Sequence, residues 1–99
     1  MPRSAEEILK IVEQNAEAIR RYGVRSLALF GSGARGTAGH ASDLDFVVEF
    51  EKKSFDAYMD LKTFLEALFG CRVDLVLADT IKPRLRAAIL SEAVRAPGL

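Results

Sequence analysis

Thiols are nearly absent from this chain. Cys71 is the only cysteine among 99 residues, so no disulfide can close within it. A lone cysteine fits a reducing compartment. An excess of one charge sign is lacking too. Lys plus Arg and Asp plus Glu number 14 each, for a formal net charge of zero. That balance argues against a general nucleic-acid binder, which carries a basic face. No apolar run reaches the length of a membrane span. The first residues hold no apolar signal region and carry Glu6 and Glu7 early. The expectation is a soluble cytoplasmic protein with no membrane partner.

What is present is enough for one domain, residues 1–99, and no more. Apolar residues make up 49 %, which supplies a core, although stability at this size is marginal. Ser4 followed by Glu7 is a capping-box pattern. Behind it Ile8, Ile11, Val12 and Ile19 recur at helical spacing, and Gly23 ends the helix. Residues 25–30 read as a short buried strand. A loop rich in Gly and small residues follows, and a second strand runs from Leu44 to Phe50. Ser54 caps a helix with a wide apolar face of Phe55, Tyr58, Met59, Leu61, Leu65 and Leu68, which Gly70 stops. Residues 72–77 form a third strand. Pro83 opens a last helix carrying Leu85, Ile89, Leu90 and Val94, closed by Pro97-Gly98.

The order α-β-β-α-β-α predicts an α/β domain with a small mixed sheet packed with helices. Strands one and two are joined too closely for a helical crossover, so an antiparallel pair is expected. A whole helix separates strands two and three, so a parallel pair is expected there.

Asp43 and Asp45 lie two apart at the start of a strand, so both carboxylates point to one face. Two like charges abreast repel, and the arrangement gains nothing unless a cation lies between them. Hard oxygen donors suit Mg²⁺. Asp74 sits within the third strand, with Val73, Leu75 and Leu77 facing the other way. An ionised group inside an apolar strand needs a partner. If that strand pairs beside the second, Asp74 shares the face of Asp43 and Asp45, and three carboxylates can hold two ions, roughly 3.5–4 Å apart in two-metal sites. Gly31-Ser32 leaves the first strand directly into the small-residue loop, where backbone N–H groups and a hydroxyl can cradle phosphate. Metal-bound triphosphate is the ligand that needs both features.

Gly31-Ser32, ten residues, then Asp43-x-Asp45 resembles the signature of the DNA polymerase β-like nucleotidyltransferase superfamily. Val73-Asp74-Leu75-Val76 looks like its third acidic strand. With Arg35-Gly36 and Ser42 in place, the chain resembles a minimal nucleotidyltransferase (MNT) domain over roughly residues 8–95. The resemblance implies the nucleotidyltransferase fold, ATP as substrate, two Mg²⁺ ions on Asp43, Asp45 and Asp74, and a helical HEPN toxin as partner in a toxin–antitoxin pair. It implies AMP placed on a toxin tyrosine with release of pyrophosphate, Asp74 being a metal ligand and a general-base candidate. The acceptor is expected from another chain, since no substrate region follows the last helix; a homo-oligomer is allowed. Two other classes stay open, a non-catalytic antitoxin that neutralises by binding and a nucleotide-binding regulatory module. A small molecule such as an aminoglycoside is a rival acceptor.

Other residues are ambiguous on sequence alone. Arg35 either orients triphosphate or forms a structural ion pair. Gly33 stands where such domains usually carry a larger residue, which loosens the loop without removing a ligand. His40 reads as a loop residue, and Cys71 as packing. Lys82, Arg84 and Arg86 read as a solvated helix face, with phosphate or an acidic partner as the alternative.

Overall fold

The computed structural model describes residues 4–30, 44–52 and 54–99. It begins with α1 (Ala5–Gln14) and α2 (Ala16–Arg20), followed by β1 (Val24–Phe30) and β2 (Leu44–Phe50). After α3 (Phe55–Phe69) come β3 (Val73–Leu77), a 3₁₀ turn (Ala78–Thr80), α4 (Pro83–Glu92) and β4 (Val94–Arg95). The four described strands form one sheet in the order β3-β2-β1-β4. As expected, β1 pairs antiparallel with β2, and β2 pairs parallel with β3.

Local signals set most of the boundaries. The Ser4 side chain accepts from the Glu7 N–H at 3.1 Å, and Ser54 accepts from Ala57 at 3.0 Å. Each satisfies one of the amide donors that a helix start leaves without a partner. Gly70 closes α3 at φ 67°, a left-handed conformation in which a β-carbon is strained.

Two expectations need correction. The first helix is not continuous. It breaks at Asn15, whose Nδ2 donates to the Ile11 carbonyl at 2.8 Å and whose backbone sits at φ −110°. A short amide side chain offers the backbone an alternative to the helical ladder, and here it prevails. The last helix also ends earlier than its apolar spacing predicts. Val94 leaves it and pairs with Leu29, Arg95 pairs with Ala28, and the Ala96 N–H donates to the Leu27 carbonyl at 2.8 Å. Edge pairing with β1 satisfies this backbone and adds a strand to the three expected.

The core lies on one face of the sheet. Leu27 and Leu29 of β1, Leu44, Phe46 and Val48 of β2, and Val73 and Leu75 of β3 point into it. Against them pack Ile8 and Val12 of α1, Ile19 of α2, and Leu61, Leu65 and Phe69 of α3. The spacing of four in α1 and α3 gives each helix one apolar stripe. Phe46 is fully buried, with its ring stacked 6.0 Å from that of Phe69. Tyr58 packs at the margin and donates its hydroxyl proton to the Leu75 carbonyl at 2.6 Å.

The opposite face is covered only in part. Val47, Ala78 and Ile81 form a small second cluster, flanked by Phe30, Val76 and Ile89. The helix α4 crosses this face and buries no residue completely. Leu85 and Leu90 remain 48 % and 44 % exposed, so the apolar pattern of this segment overstates its burial. Arg86 ties the helix down by donating to the Ala78 carbonyl at 2.7 Å, and Lys82, Arg84 and Arg86 are all exposed. Among the described residues, no polar or charged side chain is buried, and no helix is long and apolar enough to cross a membrane.

Candidate functional site

Alternation along a strand fixes which side chains share a face. In β2 the buried Leu44, Phe46 and Val48 point to the helices, so Asp45, Val47 and Glu49 point away. In β3 the buried Val73 and Leu75 send Asp74 and Val76 away from the same helices. The parallel register pairs Leu44 with Val73, Asp45 with Asp74, and Phe46 with Leu75. Neighbouring strands lie about 4.8 Å apart, so the two acids stand abreast. The structure therefore brings Asp45 and Asp74 together on the face that α1, α2 and α3 leave uncovered.

Both acids are accessible. Asp74 is exposed and Asp45 half-buried. As expected, Asp74 lies within an otherwise apolar strand and faces away from Val73 and Leu75. Its neighbours Val73 and Leu75 are buried, but its own carboxylate faces water. Glu66 was not singled out from sequence, yet it meets this end of the sheet. Its Oε2 accepts from the Val73 N–H at 3.1 Å, one residue before Asp74. The only sequence signal is an acid in the last turn of a helix, where the macrodipole disfavours it.

The end of β1 completes the described part of the site. Phe30, the last residue of β1, is the Cα partner of Asp45. Asp43, Gly31, Ser32 and Arg35 lie outside the described residues, as do Gly33 and His40. Cys71 is half-buried against the core, in keeping with a packing role.

The donor set fits a divalent cation in its chemistry. Two carboxylates paired across adjacent strands offer hard oxygens and an open approach. Among the described residues, no three His, Cys, Asp or Glu side chains converge, and Asp43 is not one of those residues.

Comparison with known proteins places this arrangement in context. A family model described as a nucleotidyltransferase domain matches residues 5–96. Protein adenylyltransferase MntA of Thermococcus cleftensis is 41 % identical over 91 residues, covering 90 % of this chain and 92 % of the relative. A Methanocaldococcus jannaschii protein, provisionally named a protein adenylyltransferase, is 36 % identical over 93 residues, covering 89 % of this chain and 93 % of its own. A solved structure provisionally described as a minimal nucleotidyltransferase superposes with a TM-score of 0.81 at 38 % identity, over 93 % of this chain and 95 % of the other. The fold also recurs in a chain from the complex of a tri-AMPylated Shewanella oneidensis HEPN toxin with an MNT antitoxin. There the TM-score is 0.64 at 19 % identity, over 92 % of this chain and 73 % of that one.

Proposed function

The chain belongs to the nucleotidyltransferase domain family, and from that premise we propose that it transfers AMP from ATP to a hydroxyl of another protein, releasing pyrophosphate. The observation that carries this reading is the pairing of Asp45 with Asp74 on an open sheet face, beside the point where β1 runs into Gly31-Ser32. The family match over residues 5–96 supports treating residues 1–99 as a single domain.

Asp43, Asp45 and Asp74 are the residues that would hold two Mg²⁺ ions. When bound, such ions neutralise phosphate charge and lower the pKa of an attacking hydroxyl. The chain's own groups supply the rest. Gly31 and Ser32 offer backbone N–H groups, and Ser32 a hydroxyl, to the triphosphate oxygens. Their donors stabilise charge as the bond between the α-phosphorus and the departing pyrophosphate oxygen breaks. Arg35 is proposed to orient the triphosphate. The Asp74 carboxylate, exposed to solvent, takes the proton of the acceptor hydroxyl as its oxygen bonds to the α-phosphorus.

The acceptor is proposed to be a tyrosine of a HEPN-family toxin, with this chain acting as the antitoxin in the cytoplasm. Two findings support that choice. The Thermococcus cleftensis relative is named a protein adenylyltransferase, and the fold recurs in a complex containing an AMP-modified HEPN toxin. The purified chain, given labelled ATP and the toxin encoded beside it, is expected to label the toxin and extinguish its ribonuclease activity. Mass spectrometry should find AMP on tyrosine. Protection by Asp45→Asn with no AMP on the toxin would instead identify a binding antitoxin. Labelling of small hydroxylated compounds in preference to the toxin would identify a small-molecule enzyme.

A further inference from the structure

We propose that Glu66 is a positioning residue for Asp74, fixing where that acid stands along β2. This rests on the reading of Asp74 as a metal ligand.

The sheet pattern alone leaves this position underdetermined. A one-residue slip of β3 would turn Asp74 toward the helices and expose Val73 and Leu75, so burial forbids it. A two-residue slip keeps the alternation of Val73, Leu75 and Leu77. It would carry Asp74 about 6.6 Å along the strand, away from Asp45. Among the described residues, β3 is an edge strand with β2 as its one neighbour.

The residues just before the two acids are held by specific bonds. The Leu44 N–H donates to the Arg72 carbonyl at 3.1 Å, which ties the start of β2 to the approach to β3. The Val73 N–H donates to Glu66 Oε2 at 3.1 Å. The Glu66 main-chain carbonyl accepts from the Gly70 N–H at 2.8 Å. One residue thus holds the α3–β3 turn from both ends, through its carbonyl at Gly70 and its carboxylate at Val73. Lys62, one turn earlier on α3, approaches the same Oε2 at 3.7 Å and helps to hold it. An acid this near a helix C-terminus opposes the macrodipole, so the bond to Val73 gives it a reason to be there.

The test compares Glu66→Ala with Glu66→Gln, which keeps an oxygen acceptor but loses the charge. Three quantities are read on the full chain: exchange of the Val73 amide in metal-free protein by NMR, Mn²⁺ affinity by titration without nucleotide, and kcat and KM for transfer. For Glu66→Ala, Val73 exchange should rise about tenfold or more. Mn²⁺ affinity should fall about 10- to 100-fold, and kcat should drop more than KM rises. Glu66→Gln should restore most of each value. If Glu66→Ala does not fold, Glu66→Asp withdraws the oxygen from Val73 while keeping the charge, and the same losses are expected. Unchanged Val73 exchange in the alanine variant would overturn the clamp. Faster exchange with undiminished Mn²⁺ affinity would overturn the positioning role, as would a glutamine variant as impaired as the alanine one. A wild-type chain that binds no Mn²⁺ would overturn the metal reading and the positioning role with it, and the Val73 measurement would identify that failure separately.

Discussion

Asp45 and Asp74 are Cα partners in the parallel register of β2 and β3, and their side chains share the sheet face turned away from α1, α2 and α3. Neither acid belongs to the core, so their removal should separate chemistry from stability. Asp74→Asn is expected to lower transfer about 10²- to 10⁴-fold, the range for loss of a positioned proton acceptor, and Asp45→Asn to abolish it. Thermal melts of both variants without metal should stay within about 2–4 °C of wild type, as for surface changes of about 0.5 kcal/mol in a domain this small. A much larger fall in Tm would make the acids structural.

Paired carboxylates on an open face also predict that nucleotide binding depends on metal. ATP should bind in the presence of Mg²⁺ or Mn²⁺ and lose most of its affinity in EDTA, as read by isothermal titration. The metal offsets repulsion between the acids and the triphosphate, which are all anionic. Equal affinity in both conditions would sink the two-ion reading.

Ser32 follows the last residue of β1 by two positions in sequence, and that residue, Phe30, is the Cα partner of Asp45. As a donor to a charged triphosphate oxygen, its hydroxyl is worth ~1.5–3 kcal/mol. Ser32→Ala should therefore weaken Mg²⁺-ATP binding about 10- to 150-fold, and Gly31→Val should be worse because bulk blocks close backbone approach. Full transfer by Gly31→Val would move the phosphate site elsewhere.

The two faces of the sheet should respond differently to mutation. Phe46 is fully buried against Phe69, and Phe46→Ala is expected to cost about 3–5 kcal/mol. In a marginal domain that is enough to unfold much of the population. Leu85→Ser and Leu90→Ser on α4 should each cost only about 1 kcal/mol, because both side chains remain about half exposed. Chemical denaturation distinguishes the two cases. A large loss from either α4 variant would mean that this helix contributes more packing than its exposure indicates.

The sequence by itself determined most of the element boundaries and both main strand orientations. Ser4 and Ser54 announced the helix starts, Gly70 the end of α3, and the short β1–β2 connection and intervening α3 the two strand orientations. These are local signals, set by backbone hydrogen-bond supply and chain reach, and they need no distant partner. The alternation in residues 72–77 likewise showed which way Asp74 points. Only the tertiary structure decided what each segment packs against. Val94 looked helical by apolar spacing, but the unpaired edge of β1 claimed it as a strand. Leu85 and Leu90 looked like core, but α4 lies across a face that offers few partners. The pairing of Asp45 with Asp74, and the bond from Val73 to Glu66, join residues far apart in sequence. Neither follows from local periodicity, because register along a strand is fixed by contacts that exist only once the sheet has formed.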